Sequence, residues 1–468
     1  MQAGFRCWVF LLPPMTKTRT VFFCTDCGGE SHRWEGQCPH CSAWNTLVEE
    51  HVRAAPKAER VGVDRAGDAR AVSLADVEGI ERPRWATGLA ELDFVLGGGV
   101  VPGSMVLLGG EPGIGKSTLL LQVSALLAGA GHKVLYVSGE ESAYQVKLRA
   151  QRLVEPTDEV LMLAETTAEA VVDRVQEIEP DILMIDSIQT MYTERLEGAP
   201  GSVAQVREVA AGLQRVAKRR EMATFLVGHV TKEGGIAGPK TLEHIVDVVL
   251  YFESPTGLDH RIVRATKNRF GAADEIALFR MGLTGLVPVD NPSALFLQGR
   301  QNRASGSAVA AALEGTRPVL VEVQALVNRS VYGSPQRVAT GFDGRRLALL
   351  LAVLERRARL RTSDQDVFLN VVGGLRLSEP AADLAVLAAV ASALKDVVIS
   401  ADTVFVGEVG LGGEVRPVNQ LERRLGEAGR LGFNQAYVAR STELSTKAAP
   451  VSLERVSDVA GLVDALFS

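Results

Sequence analysis

The segment Gly110-Glu-Pro-Gly-Ile-Gly-Lys-Ser117 decides the fold of this chain. It matches the pattern G-x-x-x-x-G-K-S/T throughout, with the apolar run 105–108 before it and a helical stretch, 117–127, after it. Glycines at these positions let backbone N–H groups close around phosphates, and the start of a helix adds a favourable partial charge. The segment therefore predicts a P-loop, which is a site for the phosphates of a nucleoside triphosphate.

The side chains of this loop have distinct expected roles. We expect Lys116 to reach the β- and γ-phosphates and Ser117 to offer its hydroxyl to Mg²⁺. The residues expected to contact the nucleotide are Gly110, Glu111, Pro112, Gly113, Ile114, Gly115, Lys116, Ser117 and Thr118. A glycine-rich turn that matches by chance is the alternative, and the strand before the loop and the helix after it argue against that alternative.

Polar residues at the ends of three other apolar runs complete the predicted site. Asp186 follows four apolar residues and is the expected second carboxylate for the metal ion. Glu140 and Glu141 follow another run, and one of them is expected to orient the attacking water; we favour Glu140. His229 ends a third run, where it is placed to sense the γ-phosphate, although a lone histidine is more often structural.

The pattern of apolar runs predicts an α/β fold. Short apolar runs alternate with helical stretches over residues 74–290, which indicates buried parallel strands in a central sheet. These runs are residues 105–108, 134–137, 182–185, 224–227 and 246–250. Residues 291–468 form a second predicted α/β domain, with strands at 319–323, 367–372 and 404–407 and a helix at 383–394.

Length and composition limit the possible classes of protein. The chain has 468 residues, enough for two or three domains, and 46% of them are hydrophobic, so it can bury sizeable cores. Its net charge is −6, so any binding of nucleic acid must come from local basic patches. No run of 18 or more apolar residues is present, so we expect no membrane-spanning helix.

Four cysteines near the amino terminus indicate a metal site. Cys24, Cys27, Cys38 and Cys41 form two C-x-x-C pairs separated by ten residues. Each pair makes a tight turn, and two such turns complete a tetrahedral Zn²⁺ site. Redox-active or free cysteines are the alternative, which two such pairs so close together make less favoured. The metal, rather than disulfides, fits a reducing cytoplasm.

The sequence around this cluster defines the first boundaries. Residues 1–17 contain a short apolar run and Cys7, and we interpret them as an upstream extension, with Met15 favoured over Met1 as the start. Residues 18–50 are the predicted zinc ribbon, whose small core we expect Trp34 and Trp44 to cover. Residues 51–73, rich in alanine and charged residues, are the predicted linker.

The order of these motifs resembles the bacterial RadA (Sms) family of DNA repair proteins. A four-cysteine ribbon precedes the P-loop, Tyr136-Val-Ser-Gly-Glu-Glu-Ser142 follows it, and Lys267-Asn-Arg-Phe-Gly271 comes next. The pentapeptide is the most specific of these marks, and the resemblance runs from about Thr18 to the end. It implies a RecA-like ATPase that forms hexameric rings on single-stranded DNA and drives branch migration in recombinational repair. ATP is the implied nucleotide, and branched DNA and a RecA-type recombinase are implied partners.

The resemblance also implies roles for particular residues. Lys267 and Arg269 would act on ATP bound at a neighbouring subunit. Segments 194–202 and 231–240 would hold DNA, with Lys232 and Lys240 as candidate phosphate contacts. Solvated loops are the ordinary alternative for such segments.

The carboxy-terminal domain resembles the Lon protease domain but lacks its catalytic dyad. Ala381 stands at the nucleophile position, and residues 418–424 contain no lysine. Without a hydroxyl and an amine there is no Ser-Lys chemistry. We expect the domain to serve instead as a scaffold for ring assembly and DNA. The candidates for a positive face are Arg345, Arg346, Arg356, Arg357, Arg359 and Arg361, and an ordinary solvated face is the alternative.

Three other functions compete with a DNA motor. An ATP-dependent protease is disfavoured by the missing dyad. A regulatory ATPase of the clock-protein type would not require the zinc ribbon or the pentapeptide. A DNA-binding scaffold that ATP merely switches remains the third alternative.

Overall fold

The computed structural model describes residues 18–25, 29–53, 83–229, 242–254, 260–300, 304–330, 335–444 and 451–467. The chain divides into two compact units. The first comprises Met1–Gly88 and Gly98–Leu250, and the second comprises Leu89–Gly97 and Tyr251–Ser468. Among the helices in the described ranges, none has the length and apolar character needed to cross a bilayer.

A small antiparallel sheet opens the first unit. Its strands are β1 (Thr18–Cys24), β2 (Glu30–Ser31) and β3 (Leu47–Arg53), in the order β2-β1-β3. Cys24, Cys38 and Leu47 form its core, with Phe22 packed against them. β3 continues past residue 50, the predicted end of the ribbon, because β1 pairs along its whole length and places Thr18 opposite Arg53.

A parallel sheet with helices forms the rest of the first unit. Its parallel strands follow the order β4-β8-β7-β5-β6, β9 lies beside β4 and crosses the boundary of the unit at Leu250, and each apolar run predicted in this region contributes to a strand. Helix α1 (Ala90–Leu96) comes earlier in the chain and belongs to the second unit. The remaining elements are β4 (Met105–Gly110), α2 (Lys116–Gly129), β5 (Val134–Ser138), α3 (Ala143–Ala150), β6 (Leu161–Ala164), α4 (Ala168–Ile178), β7 (Ile182–Asp186), α5 (Val203–Arg220), β8 (Ala223–His229) and β9 (Val248–Glu253).

The register of the parallel strands positions the site. Gly110 at the end of β4 lies opposite His229 at the end of β8. Ser138 at the end of β5 lies opposite Asp186 at the end of β7. Because β7 also pairs with β8 in parallel, the carboxyl ends of all four strands meet at one edge of the sheet.

The second unit contains a mixed seven-stranded sheet in the order β15-β16-β14-β13-β17-β20-β21, as well as an antiparallel run of β10, β11 and β12. Its elements after α1 are β10 (His260–Asn268), β11 (Ile276–Gly282), β12 (Gly285–Pro288), α6 (Pro292–Phe296), β13 (Ser307–Glu314), β14 (Arg317–Arg329), β15 (Arg337–Thr340), α7 (Gly344–Ala358), β16 (Gln365–Val371), α8 (Asp383–Lys395), β17 (Thr403–Val406), β18 (Glu408–Val409), β19 (Val415–Arg416), α9 (Leu421–Arg430), β20 (Gln435–Ala439), β21 (Ser452–Val456) and α10 (Val459–Phe467). The predicted strands and helix of this region are therefore present.

The division between the units differs from the predicted boundary at residue 290. β10 and β11, which the sequence assigns to the ATPase domain, lie in the second unit. The physical reason is their core: Ile262, Ile276 and Leu278 belong to the same buried cluster as Val321 and Leu387 of the carboxy-terminal region. Apolar periodicity alone does not show which core a strand joins.

Candidate active site and zinc site

The P-loop connects β4 directly to α2. Gly113 and Gly115 have φ values of 75° and 116°, in the left-handed region that favours glycine. Glu111 and Pro112 are exposed, whereas the side chain of Ile114 is 7% exposed, so Ile114 can offer a ligand only its backbone. The loop thus has the backbone geometry expected of a phosphate cradle.

Lys116 is a buried cation at the start of α2. Its side chain is 3% exposed, and Nζ donates hydrogen bonds to the carbonyls of Gly110 and Glu111 at 2.8 and 2.9 Å. Burial lowers the pKa of Lys116 to about 8, although the nearby carboxylates of Asp186 and Glu140 act in the opposite direction. An anionic phosphate is the natural partner for such a cation.

Ser117 and Asp186, the residues predicted to bind the metal ion, lie side by side. Ser117 Oγ donates to Asp186 Oδ1 at 3.1 Å, and Asp186 is 5% exposed. A hydroxyl and a carboxylate side by side are oxygen ligands of the kind that Mg²⁺ prefers. These residues fit Mg²⁺ held together with a nucleotide.

Glu140 follows β5, and its contacts with residues at the ends of β8 and β7 distinguish it from its neighbour Glu141. His229 Nε2 lies 3.0 Å from Glu140 Oε1, and Ser187 Oγ donates to the same oxygen. The hydrogen bond with His229 lowers the pKa of Glu140 to about 2; burial opposes this, and the bond from Ser187 adds to it. A carboxylate with so low a pKa is a weak base, so Glu140 is suited to orienting water rather than to storing its proton.

Glu141 has a different partner. Arg149 of α3 donates from Nη2 to Glu141 Oε1, while its Nη1 lies 3.9 Å from Asp186 Oδ2. Glu141 is thus engaged in an ion pair. Glu140 instead contacts His229 at the end of β8, and its role in orienting the attacking water stays a prediction.

Sequence reasoning missed the side chains that surround Asp186. The phenol of Tyr136 donates to Asp186 Oδ2 at 2.7 Å, and burial followed by the Asp186 charge raises the pKa of Tyr136 well above its usual value. A tyrosine within a buried strand usually needs a hydrogen-bond partner, and this was the available signal. No comparable signal pointed to Ser187, whose partner Glu140 lies 47 residues away in the chain, or to Arg149, whose approach to Asp186 depends on the fold.

Three of the predicted zinc ligands converge in the ribbon. The Sγ atoms of Cys24, Cys38 and Cys41 all lie within 4.8 Å of one another, and those of Cys24 and Cys41 are 3.6 Å apart. Thiolates that bind one Zn²⁺ at about 2.3 Å lie about as far from one another as the sulfurs of Cys24 and Cys41 do, so the cluster fits Zn²⁺. Cys27, the fourth predicted ligand, and Cys7 lie outside the described residues.

The tryptophans of the ribbon do not cover its core. Trp34 is 58% exposed and Trp44 is 69% exposed, so the expectation that they shield the cysteines is wrong. Cys24 and Cys38 are buried by Leu47 and Phe22 instead. A core of this size is filled by the cysteines themselves and leaves no room for an indole.

Lys267 and Arg269 lie in the second unit, whereas the P-loop lies in the first. Lys267 is near the end of β10, and Arg269 follows the strand and is exposed. The turn between them is fixed, because Asn268 Nδ2 donates to Val95 O at 3.0 Å and the N–H of Phe270 donates to Asn268 Oδ1 at 2.8 Å. Their role at a nucleotide stays a prediction. Lys232 and Lys240 lie outside the described residues.

A P-loop at the edge of a RecA-like parallel sheet, with a zinc ribbon before it, defines the class of this protein as a RecA-like ATPase. Family models agree: residues 85–235 match the AAA domain, and residues 22–49 match the rubredoxin metal binding domain. The proteins most similar to the chain along its length specify the class further.

A DNA repair protein RadA from Bacillus subtilis is 48% identical over 449 residues, which cover 95% of this chain and 98% of that protein. The DNA repair protein RadA of Pseudomonas aeruginosa is 51% identical over 455 residues, covering 97% of this chain and 100% of its own. One from Halalkalibacterium halodurans is 49% identical over 425 residues, or 91% and 93% of the two chains. The chain belongs to the RadA family of DNA repair proteins, as its motifs suggested.

Proposed function

We propose that this chain is a DNA-dependent ATPase that drives branch migration of recombination intermediates during repair. It would bind single-stranded and branched DNA, act as a homo-hexamer in the cytoplasm, and work beside a RecA-type recombinase. The name of the relatives supports a role in DNA repair, and the match to the AAA domain together with the predicted catalytic residues supports ATP hydrolysis.

The observation that carries this proposal is the meeting of hydrolytic residues at the ends of four strands. Lys116 would bind the β- and γ-phosphates, while Ser117 and Asp186 would hold Mg²⁺. Bound Mg²⁺ would neutralise charge on the phosphate oxygens. Glu140 uses Oε1 for His229 and Ser187, so Oε2 is the oxygen that can receive a hydrogen bond from the attacking water.

Contact between Glu140 and His229 suggests how hydrolysis could be coupled to DNA. His229 ends β8 and directly precedes residues 230–241, which include the predicted DNA contacts Lys232 and Lys240. In our proposal, a change at the γ-phosphate alters the Glu140–His229 hydrogen bond, and this change passes to the following segment. DNA on that segment would act in the reverse direction and stimulate turnover.

The carboxy-terminal region is proposed to have no peptidase activity. Ala381, at the position expected for a nucleophile, is 3% exposed and has no hydroxyl. Arg424, in the segment where a lysine would be needed, forms a bidentate pair with Glu379 at 2.7 Å and is itself 2% exposed. A guanidinium does not give up its proton in proteins, so it cannot serve as the base.

A casein-cleavage assay with the full-length protein and ATP tests that statement. We expect no cleavage by the wild type, and none by Ala381→Ser, because the hydroxyl alone still lacks a base. ATP-dependent cleavage that Lys116→Ala abolishes would show that the region is a protease.

The ATPase rate with and without a single-stranded oligonucleotide tests the main proposal. We expect the oligonucleotide to raise the rate several-fold, and Lys116→Ala to abolish turnover while circular dichroism stays unchanged. A rate that is indifferent to DNA would favour the regulatory ATPase. Stimulation without movement of a four-stranded junction would favour the scaffold that ATP merely switches.

A further inference from the structure

Arg149 has a buried donor group that needs an explanation. Its Nη1 atom is inaccessible to solvent and has no hydrogen-bond partner among the described residues. Asp186 Oδ2 lies 3.9 Å away, within the distance of an ion pair but beyond that of a hydrogen bond. Buried cationic donors are normally paired, because losing water without gaining a partner is unfavourable. Neighbouring side chains must therefore prevent Arg149 from forming a hydrogen bond with Asp186.

Two neighbours account for this separation. Tyr136 donates its hydroxyl to Asp186 Oδ2 at 2.7 Å and so occupies the oxygen that Arg149 would otherwise reach. Glu141 accepts a hydrogen bond from the other arm of the guanidinium. The side chains of Arg149 and Glu141 are 25% and 29% exposed, so this pair is partly shielded from water.

The arrangement leaves the two oxygens of Asp186 with different neighbours. Oδ1 receives the hydroxyl of Ser117 at 3.1 Å, and Oδ2 receives the phenol of Tyr136. A neutral donor such as a phenol orients a carboxylate without cancelling its charge. A guanidinium bound to the same carboxylate would cancel that charge and weaken its attraction for a divalent cation.

We propose that Tyr136 and Glu141 are positioning residues that keep Asp186 available to Mg²⁺. Tyr136 fixes the orientation of the carboxylate, and Glu141 holds Arg149 away from it. This inference deepens the proposed function, because it rests on Asp186 as a metal ligand, but it requires nothing of DNA.

The first test uses the full-length chain and a fluorescent N-methylanthraniloyl ATP analogue while Mg²⁺ is titrated. We expect Tyr136→Phe to raise the half-saturating Mg²⁺ concentration about tenfold, as loss of a residue behind a metal ligand typically does. Binding in the presence of a chelator should not change, and the hydrolysis rate at saturating Mg²⁺ should largely recover. Tyr192→Phe is the matched control, because its hydroxyl interacts with Thr167 at 3.1 Å and not with Asp186.

A second test does not require removing a buried hydroxyl. Glu141→Gln releases Arg149 toward Asp186, so we expect it also to raise the Mg²⁺ requirement. The double variant Glu141→Gln with Arg149→Gln should return the requirement to near the wild-type value, because the competing cation is gone.

The outcomes separate the two proposals. A Mg²⁺ requirement that changes less than about threefold in Tyr136→Phe and in Glu141→Gln overturns this inference, as does a double variant that stays as impaired as Glu141→Gln. A wild-type ATPase rate that single-stranded DNA does not raise would overturn the proposed function alone. Nucleotide binding that is indifferent to Mg²⁺ in the wild type would overturn both.

Discussion

Lys116 carries a positive charge that the surrounding protein does not favour. Burial lowers its pKa to about 8, and within the part of the chain that the structure describes its hydrogen bonds go to backbone carbonyls. Phosphate oxygens would stabilise the ammonium form far better than carbonyls do. Binding of a nucleotide should therefore raise this pKa, which links affinity to pH.

The expected pH dependence follows from the sign of that shift. Below about pH 8 Lys116 is already protonated, and this group adds no pH dependence to nucleotide affinity. Above that pH the free protein must take up a proton to bind, so affinity should fall by up to about tenfold per pH unit. Calorimetry of ATP binding in two buffers of different ionisation enthalpy measures the uptake directly.

The control for this prediction is Lys116→Arg, whose guanidinium stays protonated over the same range. It should bind with altered affinity but without proton uptake. Equal proton uptake by the wild type and by this variant would show that another group is responsible.

Among the structural elements, the zinc ribbon depends most on a bound ion. Its described core comprises Cys24, Cys38, Leu47 and the adjacent Phe22, which is too small to stabilise three strands without a metal. We expect one Zn²⁺ per chain, held by Cys24, Cys38 and Cys41 together with the predicted fourth ligand, Cys27. Metal analysis of the wild type and of Cys38→Ser tests this, and the variant should lose the zinc.

Cys7→Ser is the matched control, because Cys7 is predicted to lie outside the site and the variant should keep its zinc. A wild type without stoichiometric zinc, or loss of zinc in Cys7→Ser alone, would contradict the assignment.

The turn after β10 has the rigidity expected of an element that presents a cation. Asn268 fastens it to the main chain of Val95, and a Cβ added to Gly271 would come within 2.8 Å of the Gly97 backbone. We expect Arg269, exposed on this turn, to serve the nucleotide of a neighbouring subunit. Mixing Arg269→Ala chains with Lys116→Ala chains should then partly restore ATPase activity, because some interfaces regain an intact pair.

Arg280→Ala is a control for that experiment, since Arg280 is exposed on the adjacent strand β11 but lies outside the pentapeptide. Arg280→Ala chains keep both Lys116 and Arg269. Mixing them with Lys116→Ala chains should therefore give no more activity than the Arg280→Ala chains show by themselves. The absence of recovery when Arg269→Ala and Lys116→Ala chains are well mixed would argue against action between subunits.

For the whole molecule, the net charge of −6 makes the distribution of arginines important. Arg346 does not belong to the predicted basic face, because it pairs with Asp383, whose side chain is fully buried. Arg361 lies 3.4 Å from Asp364. Arg345, Arg356, Arg357 and Arg359 are exposed. Arg345 and Arg356 are eleven residues apart on α7 and therefore share one helical face.

We expect the double variant Arg345→Gln with Arg356→Gln to bind single-stranded DNA more weakly than the wild type. The salt dependence of binding should also become shallower, by a slope of about two, if both residues neutralise phosphates. Arg416→Gln is the matched control, because Arg416 is exposed but already paired with Glu414. Unchanged affinity and slope in the double variant would remove this face from the DNA path.

The sequence by itself determined the parts of this protein that are continuous along the chain. The P-loop, the Asp186 strand and the cysteine pairs each depend on residues within one short segment, where backbone geometry follows directly from residue type. The strands of both α/β regions were predictable for the same reason, since a buried strand is one apolar run. Family membership followed from the order of these segments.

Only the tertiary structure decided how side chains from distant segments combine. The Glu140–His229 and Tyr136–Asp186 contacts depend on the register and order of parallel strands, which residue patterns do not specify. The exposure of Trp34 and the removal of Arg346 from the basic face were likewise set by packing. A side chain's partner is a property of the assembled sheet, so the chain's local chemistry could predict the catalytic groups but not what holds them in place.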